Sequence, residues 1–253
     1  MSEIKYGLIS QTDARTLEKT IDLICEQSTD GVINICEVGL YSGATSNALY
    51  DYVTGKVYGS SKSGGYAEYV FKCNLTGVDN LKDDEKIIDF PKEGELIIGN
   101  SNEVYSQIED DSQHLIFVDG CHCFSHVISD FFCYAPKVKV GGYLAFHDTG
   151  KHIKPFKDFQ HGDETNPRAY ISVREALKAV GLFNRPSGYA INVEALKDMD
   201  IANKDELIAK FNKMGAEMGI TQLLSPRFPN WELIFDEADE TNEAGGICVF
   251  KKL

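Results

Sequence analysis

The sequence lacks the long apolar runs and the excess of basic residues that lead a chain to a membrane or to nucleic acid. No stretch approaches the roughly 18 apolar residues of a membrane-spanning helix, and the first residues lack the basic-then-apolar order of a secretory signal. Asp and Glu number 39 against 25 Lys and Arg, which gives a net charge of −14. Because nucleic-acid phosphates are bound by clustered Lys and Arg, neither nucleic acid nor a membrane is expected as a partner.

A full set of paired cysteines is also absent, since the seven cysteines of the chain leave one over in any pairing. Several lie in apolar segments, where a free thiol behaves as a small buried hydrophobe. We therefore expect a reducing, cytoplasmic location. The Cys121-His122-Cys123 run does not predict a zinc site, because structural zinc needs four convergent ligands that usually come from two separated pairs.

What is present is an alternation of short apolar runs and helical patterns. This alternation is expected of a doubly wound, mostly parallel α/β sheet. Trp231–Phe235 and 246–251 then predict a C-terminal antiparallel hairpin. Because 253 residues can form one large domain with a sizeable core, we expect a single domain over 1–253, with an N-terminal helical segment at about 1–30 and an insertion at about 184–228.

The N-terminal segment has the spacing of an amphipathic helix over residues 12–28. Ile21 and Ile24 lie on its apolar face, and Thr12 or Asp13 is available as its cap. We expect this helix to pack against the sheet or to cover its edge.

Two apolar runs stop at a carboxylate. The first reaches Glu37 and passes into a turn that contains Gly39 and Gly43, and the second, from Leu115, reaches Asp119. Ligands bind at the carboxyl ends of strands in an open parallel sheet, so both acids are expected to face a crevice. The glycine spacing differs from the G-x-G-x-x-G of dinucleotide binders. It lets the backbone approach a ligand, although an ordinary strand-to-helix turn is an alternative.

The order of the later segments is more specific. Asp119-Gly-Cys-His122 is followed by a helical pattern over Phe124–Tyr134, by a Gly-Gly pair and by an apolar strand that ends at His147-Asp148. This order resembles that of a family of class I S-adenosylmethionine-dependent methyltransferases that includes macrocin O-methyltransferase and the cephalosporin hydroxylase proteins. The matching segments run from about residue 30 to residue 253, except for about 184–228.

The resemblance implies a Rossmann-like fold and a methyl donor, S-adenosylmethionine. The methyl group would pass to a hydroxyl of a small polar or sugar-like acceptor, with or without the help of a metal. Further segments match the family in order: Lys56–Gly59 as the second strand, Leu96–Ser101 as the third strand and the adenine-contacting turn, Ser172–Lys178 as the late helix and Gly245–Lys251 as the last strand. The charged stretch Gly150–Pro167 is a candidate substrate loop.

The resemblance also implies which residues contact the cofactor. They are Glu37, Gly39, Tyr41, Gly43, Ser61, Asn100, Ser101 and Asp119. Glu37 has an alternative role at the N-terminus of the following helix, and Asn100 and Ser101 are also common turn residues. Where the family usually ends its second strand with an acid for the ribose hydroxyls, this chain has Ser60-Ser61-Lys62. A serine supplies no charge-assisted bidentate contact, which leaves a noncatalytic nucleoside- or metabolite-binding protein as an alternative.

Asp119, His147 and Asp148 are expected at the ends of neighbouring strands, where they can hold a divalent cation. Carboxylate ligands suit Mg²⁺, and an imidazole among them makes Mn²⁺ or another transition ion an option. Without a metal, Asp119 and Asp148 would bind the cofactor amine and the substrate. The same three residues without a methyl donor would fit a metal-dependent hydrolase or a hydroxylase-type protein.

His122 is the candidate catalytic residue, together with Asp119. It follows Asp119 by three residues and matches the catalytic histidine of metal-using sugar O-methyltransferases in the family. As a general base it would remove the proton of the acceptor hydroxyl; a helix-capping or buried structural role is the alternative. Lys151 and His152 are other candidate bases. The expected partners are a small-molecule acceptor and, as one option for assembly, further copies of the chain as a homo-oligomer.

Overall fold

The computed structural model describes residues 9–60, 67–80, 89–122, 124–150, 173–180, 182–183, 209, 231–237 and 245–253. Its strands are β1 (Val32–Val38), β2 (Val57–Ser60), β3 (Ala67–Val70), β4 (Lys72–Asp79), β5 (Glu95–Ile98), β6 (Gln113–Val118), β7 (Val138–Phe146), β8 (Trp231–Glu237) and β9 (Ile247–Lys252). Its helices are α1 (Gln11–Gln27), α2 (Ala44–Thr54), α3 (Ser101–Val104), α4 (Phe124–Tyr134) and α5 (Val173–Ala179).

Seven of these strands form one sheet in the spatial order β5-β4-β1-β6-β7-β9-β8. The first five are parallel to one another, whereas β9 lies antiparallel between β7 and β8. This topology confirms the predicted Rossmann-like, mostly parallel sheet with a C-terminal antiparallel hairpin.

Helices cover both faces of the seven-stranded sheet. Successive side chains of a strand point to opposite faces. In β1, Ile33 and Ile35 pack in a buried cluster with residues of α1 and α2, whereas Cys36 and Val38 pack in a second cluster with residues of α4 and α5. Burial on both faces explains why β1 has so few polar residues.

The prediction that Lys56–Gly59 is the second strand of the main sheet is wrong. Val57–Ser60 pairs antiparallel with β3 in a separate two-stranded sheet, and β4 takes the position beside β1. Val57 is exposed, whereas the apolar residues of β4, among them Leu75 and Val78, are buried against the core. A strand inside this sheet needs buried apolar side chains, and β4 contributes Cys73 and Leu75 to one buried cluster and Val78 to the other.

Helix α1 lies close to the predicted range but begins differently. Ser10 is its N-cap, and Asp13 completes a reciprocal capping box with Ser10. Thr12 and Asp13, the two predicted caps, are therefore the second and third residues of the helix. Leu17, Ile21 and other apolar residues of α1 are buried on the sheet.

No helix among the described residues is long and apolar enough to cross a membrane. The predicted insertion at 184–228 lies outside the described residues, apart from residue 209. The single-domain organisation therefore stays a prediction.

Candidate active site

Four strand ends bring the site residues into one row. In the register of the sheet, Val38 lies beside both Val78 and Val118, and Val118 lies beside Phe146. The residues that follow these four are Gly39, Asp79, Asp119 and His147. Backbone hydrogen bonds continue across this row: Gly39 N donates to Val78 O at 2.9 Å, Asp119 N to Val38 O at 2.8 Å and His147 N to Val118 O at 3.0 Å.

Glycine is required in the turn after β1 for two reasons. Gly39 has a φ of +88°, and a Cβ there would overlap the carbonyl oxygen of Asp119 and lie 2.6 Å from the Cα of Gly120. Gly43 has a φ of +83°, and its Cβ would lie 2.8 Å from the backbone nitrogen of Phe90. Between them, Tyr41 is 60% exposed. The turn therefore packs tightly against the end of β6 and presents an aromatic ring to solvent.

Glu37 is buried at the end of β1. The Ser46 hydroxyl, in the first turns of α2, donates to its carboxylate. Burial raises the pKa of Glu37 to about 8, although the hydrogen bond from Ser46 opposes the rise. The side chain thus joins β1 to α2 and is mostly protonated at neutral pH.

Asp79 is a site residue that the sequence analysis missed. It ends β4, and its Oδ2 accepts hydrogen bonds from the backbone nitrogens of Leu40 at 2.7 Å and Tyr41 at 3.2 Å. An acid therefore ends β4, the strand beside β1 that takes the position expected of the family's second strand. The signal was present in the alternating apolar residues of 73–78 just before this acid. The prediction of Lys56–Gly59 as the second strand left no place for this segment. Ser61, the residue predicted in place of the acid, lies outside the described residues.

Ser101 ties the turn after β5 to helix α4. Its hydroxyl donates to Asp130 Oδ1 at 2.7 Å, and the Tyr134 hydroxyl donates to the Ser101 carbonyl at 3.0 Å. Burial raises the pKa of Asp130 to about 6. Asn100 is the N-cap residue of α3, but its side chain makes no capping hydrogen bond. Of the two, the Asn100 side chain is therefore the better candidate for a ligand.

Asp119, His122 and Asp148 form the cluster that can hold a cation. One ligand atom from each lies within 4.8 Å of the others. His122 Nε2 is 2.9 Å from Asp148 Oδ2 and 3.8 Å from Asp119 Oδ1. Two carboxylates and one imidazole are a donor set that fits a divalent ion.

His147 lies beside this cluster and near three carboxylates, of which that of Asp148 is 3.6 Å from its Nδ1. Its Nδ1 is 3.0 Å from Asp119 Oδ1, and its Nε2 is 3.2 Å from Oδ2 of Asp13 in helix α1. Burial lowers the pKa of His147, but these carboxylates outweigh it and raise the pKa to about 12. Among the described residues, the ligand atoms that lie within 4.8 Å of one another include the imidazole of His122. The metal-ligand role that the sequence analysis gave to His147 stays a prediction.

Charge in the cluster is balanced between acids and imidazoles. Although burial lowers the pKa of His122, Asp119 and Asp148 raise it to about 10. Burial raises the pKa of Asp148, but His122 and His147 hold it well below its usual range. His122 is thus an imidazolium at neutral pH. The other candidate bases, Lys151 and His152, lie outside the described residues, as does the substrate loop beyond Gly150.

Comparisons with known proteins come from sequence and from structure. Residues 36–149 match the sequence model of a family described as a methyltransferase domain. No curated protein matches the chain. The matched range begins in β1 and ends just after Asp148, so it contains the whole row of strand ends.

Several solved structures are similar to this one, at low sequence identity. The O-methyltransferase from Bacillus cereus in complex with SAH (S-adenosylhomocysteine) is 13% identical, with a TM-score of 0.46 over 99% of this chain and 86% of that chain. The O-methyltransferase TomG from Streptomyces achromogenes, in complex with SAM, is 10% identical, with a TM-score of 0.47 over 100% and 84%. The MycE methyltransferase of the mycinamycin pathway, in complex with Mg and SAH, is 13% identical, with a TM-score of 0.47 over 91% and 48%.

Proposed function

We propose that the protein transfers the methyl group of S-adenosylmethionine to a hydroxyl oxygen of a small polar or sugar-like molecule. The match of residues 36–149 to the sequence model of a methyltransferase domain and the order of the strands in the sheet support this proposal. The observation that carries the proposal is the contact between the Gly39 turn and Asp119, because Asp119 also belongs to the cluster with His122 and Asp148. A site for the donor and a group of acid–base residues therefore adjoin at one edge of the sheet.

The donor would lie along the row of strand ends. Gly39 and Gly43 let the turn pack against Asp119 and Phe90, which fixes the backbone that would contact the donor. Asp79 would accept hydrogen bonds from the ribose hydroxyls in place of Ser61. A carboxylate accepts several hydrogen bonds at once, so Asp79 can support the turn and a ligand together. The missing acid was the ground for the alternative of a noncatalytic binding protein, and the position of Asp79 at the end of β4 supports methyl transfer over that alternative.

The acceptor hydroxyl would lie beside His122. Methyl transfer is a direct displacement, and holding donor and acceptor in line supplies much of its rate. His122 accepts the proton of the hydroxyl only after its own proton has left. Asp119 and Asp148 would hold Mg²⁺ or Mn²⁺, which competes with that proton for the same carboxylates. A bound divalent ion would also make the hydroxyl more acidic.

Calorimetry with S-adenosylmethionine and S-adenosylhomocysteine tests the donor site. We expect the parent protein to bind both and the Gly39→Val variant to bind them about tenfold more weakly or worse, a loss of about 1.4 kcal/mol. Gly141→Val is the matched control, because Gly141 has a similar φ of +82° and its Cβ would meet only Gln27 Oε1, at 4.0 Å. Failure of the parent to bind either ligand overturns the proposal. Parental affinity in folded Gly39→Val overturns the assignment of the turn.

A metal-dependent hydrolase is the second candidate, favoured by the same cluster of Asp119, His122 and Asp148. The two functions differ in their need for the methyl donor. Formation of S-adenosylhomocysteine that depends on an added acceptor supports methyl transfer, whereas turnover of an ester or amide without S-adenosylmethionine supports hydrolysis.

The surroundings of the enzyme are part of the proposal. Cys25, Cys36, Cys73 and Cys248 are free thiols, which supports a reducing, cytoplasmic location. The net charge of −14 supports a small-molecule acceptor rather than nucleic acid. The proposed enzyme is a single domain over 1–253, with a homo-oligomer as one option for its assembly.

A further inference from the structure

Asp13 in helix α1 is more deeply buried than its role in helix capping requires. It accepts hydrogen bonds from the Ser10 hydroxyl at 2.7 Å and the Ser10 nitrogen at 3.3 Å, and its own nitrogen donates to the Ser10 hydroxyl at 3.1 Å. Such a capping box works at the surface of a protein. Asp13 has no exposed area, so a carboxylate has been taken out of water for another reason.

The partner that accounts for this burial is His147. The Oδ2 atom of Asp13 is 3.2 Å from His147 Nε2, across 134 positions of sequence. Its Oδ1 is buried and makes no hydrogen bond with the described residues. Burying a carboxylate is unfavourable unless it is paired. The capping hydrogen bonds alone do not offset the free energy of burying the Asp13 carboxylate, whereas the contact with His147 does.

His147 connects Asp13 to the active site, because it contacts Asp13 through one ring nitrogen and Asp119 through the other. Its other ring nitrogen, Nδ1, is 3.0 Å from Asp119 Oδ1. The edge-to-face contact with Phe117, at 6.1 Å between ring centroids and 71° between planes, further restricts the ring. An imidazole held at both nitrogens and along one side has a single orientation. The orientation of the Asp119 carboxylate follows from it.

We propose that Asp13 is a positioning residue of the active site, because it holds the His147 ring against Asp119 and so keeps Asp119 in place beside His122 and Asp148. The inference rests on the proposed function, since it concerns binding at the same site. It adds helix α1 to the site, although α1 precedes the matched segment 36–149. None of the residues assigned to the site from the sequence lies in this helix.

A double-mutant cycle separates positioning from mere helix stability. Asp13→Asn, His147→Gln and the double variant are compared by calorimetry for affinity towards S-adenosylhomocysteine, with and without Mn²⁺. We expect Asp13→Asn to weaken binding about fivefold or more and its effect to vanish in the His147→Gln background, as for groups in one network. Ser10→Ala is the control. It removes the cap but leaves the contact with His147, so we expect lower thermal stability and an affinity within about twofold of the parent.

A second measurement uses the parent protein alone and covers the case in which Asp13→Asn does not fold. Binding of S-adenosylhomocysteine should slow hydrogen exchange of backbone amides in the first turns of α1, because the ligand fixes Asp119 and through it His147. Unchanged exchange in α1 on binding, or equal affinity of folded Asp13→Asn and the parent, overturns this inference alone. A parent protein that binds no S-adenosylhomocysteine overturns the proposed function first, and this inference with it.

Discussion

At the scale of single residues, Asp119 connects the two halves of the site. Its main chain lies against Gly39, in the turn proposed to hold the methyl donor. Its side chain contacts His147 and lies near His122, in the acid–base cluster. A displacement of the Gly39 turn would therefore move the acid–base cluster, and the reverse, because both contact Asp119.

The metal proposal is tested at Asp148. In Asp148→Asn one anionic ligand becomes neutral, and we expect Mn²⁺ to bind about tenfold more weakly or worse. Asp111→Asn is the matched control, because both aspartates have a φ of +54° and asparagine tolerates that conformation. Titration calorimetry of the folded proteins gives the affinities. Equal affinity in Asp148→Asn and the parent, or no binding in either, would speak against the metal site.

Glu37 gives the stability a pH dependence whose sign follows from its pKa. The folded protein raises this pKa from 4.5 to about 8, so the folded state holds the proton more tightly than the unfolded state. Its contribution to stability is complete below pH 4.5 and is lost as the pH rises towards 8. At about 1.4 kcal/mol per pH unit, the loss between pH 5 and pH 8 amounts to about 3 kcal/mol.

Glu37→Gln removes this titration. We expect the free energy of unfolding of the parent to fall more steeply from pH 5 to pH 8 than that of the variant, as measured by urea unfolding. Glu103→Gln, at an exposed position of α3, serves as the control and should follow the parent. Parallel pH profiles for the parent and Glu37→Gln would show that the carboxyl is not protonated in the folded state.

At the scale of elements, a paired arginine fastens helix α5 to the antiparallel edge of the sheet. Arg174 donates to both carboxylate oxygens of Asp236 in β8, at 2.8 and 2.5 Å, and to the carbonyl of Thr149 at 3.2 Å. Thr149 follows Asp148 directly. The same side chain therefore joins the helix, the edge strand and the segment that leaves the active site.

Replacing Arg174 by methionine should lower the free energy of unfolding by about 1–3 kcal/mol, because a two-pronged, half-buried ion pair is lost and Asp236 keeps its charge. Lys56→Met is the comparison. Lys56 pairs with Asp22 at a more exposed place, where such pairs contribute about 1 kcal/mol or less. Urea unfolding of both variants measures the difference. An equal, small loss in both would mean that Arg174 does not fasten α5.

Elements also show how far local patterns predict structure. Helix α4 has the predicted bounds Phe124–Tyr134, because apolar spacing acts within a few residues. The second strand was placed wrongly because Lys56–Gly59 was preferred to residues 73–78, whose alternating apolar residues lead to Asp79. Strand β2 has four residues and β4 has eight, and which of them pairs with β1 depends on contacts between segments that are far apart in the sequence.

At the scale of the whole molecule, some residues of the site were predictable from the sequence and others were not. The row of Gly39, Asp119, His147 and Asp148 was predictable, since parallel strands end at one edge of a sheet. The pairing of His147 with Asp13 was not, because 134 positions separate the two residues and only the packing of α1 on the sheet brings them together. Both His122 and His147 lie within 4 Å of Asp119 and Asp148, and the other ring nitrogen of His147 contacts Asp13.

During synthesis on the ribosome, β7 emerges well before β9, one of its two neighbours in the sheet. Strand β9, which lies between β7 and β8 in the sheet, emerges about 100 residues after β7. At about 5–20 residues per second, this delay lasts about 5–20 s. In that interval, β7 presents an unpaired edge of backbone N–H and C=O groups, which invites pairing with other chains. We therefore expect the strand that leads to His147 and Asp148 to be prone to pairing with other chains until β9 has emerged.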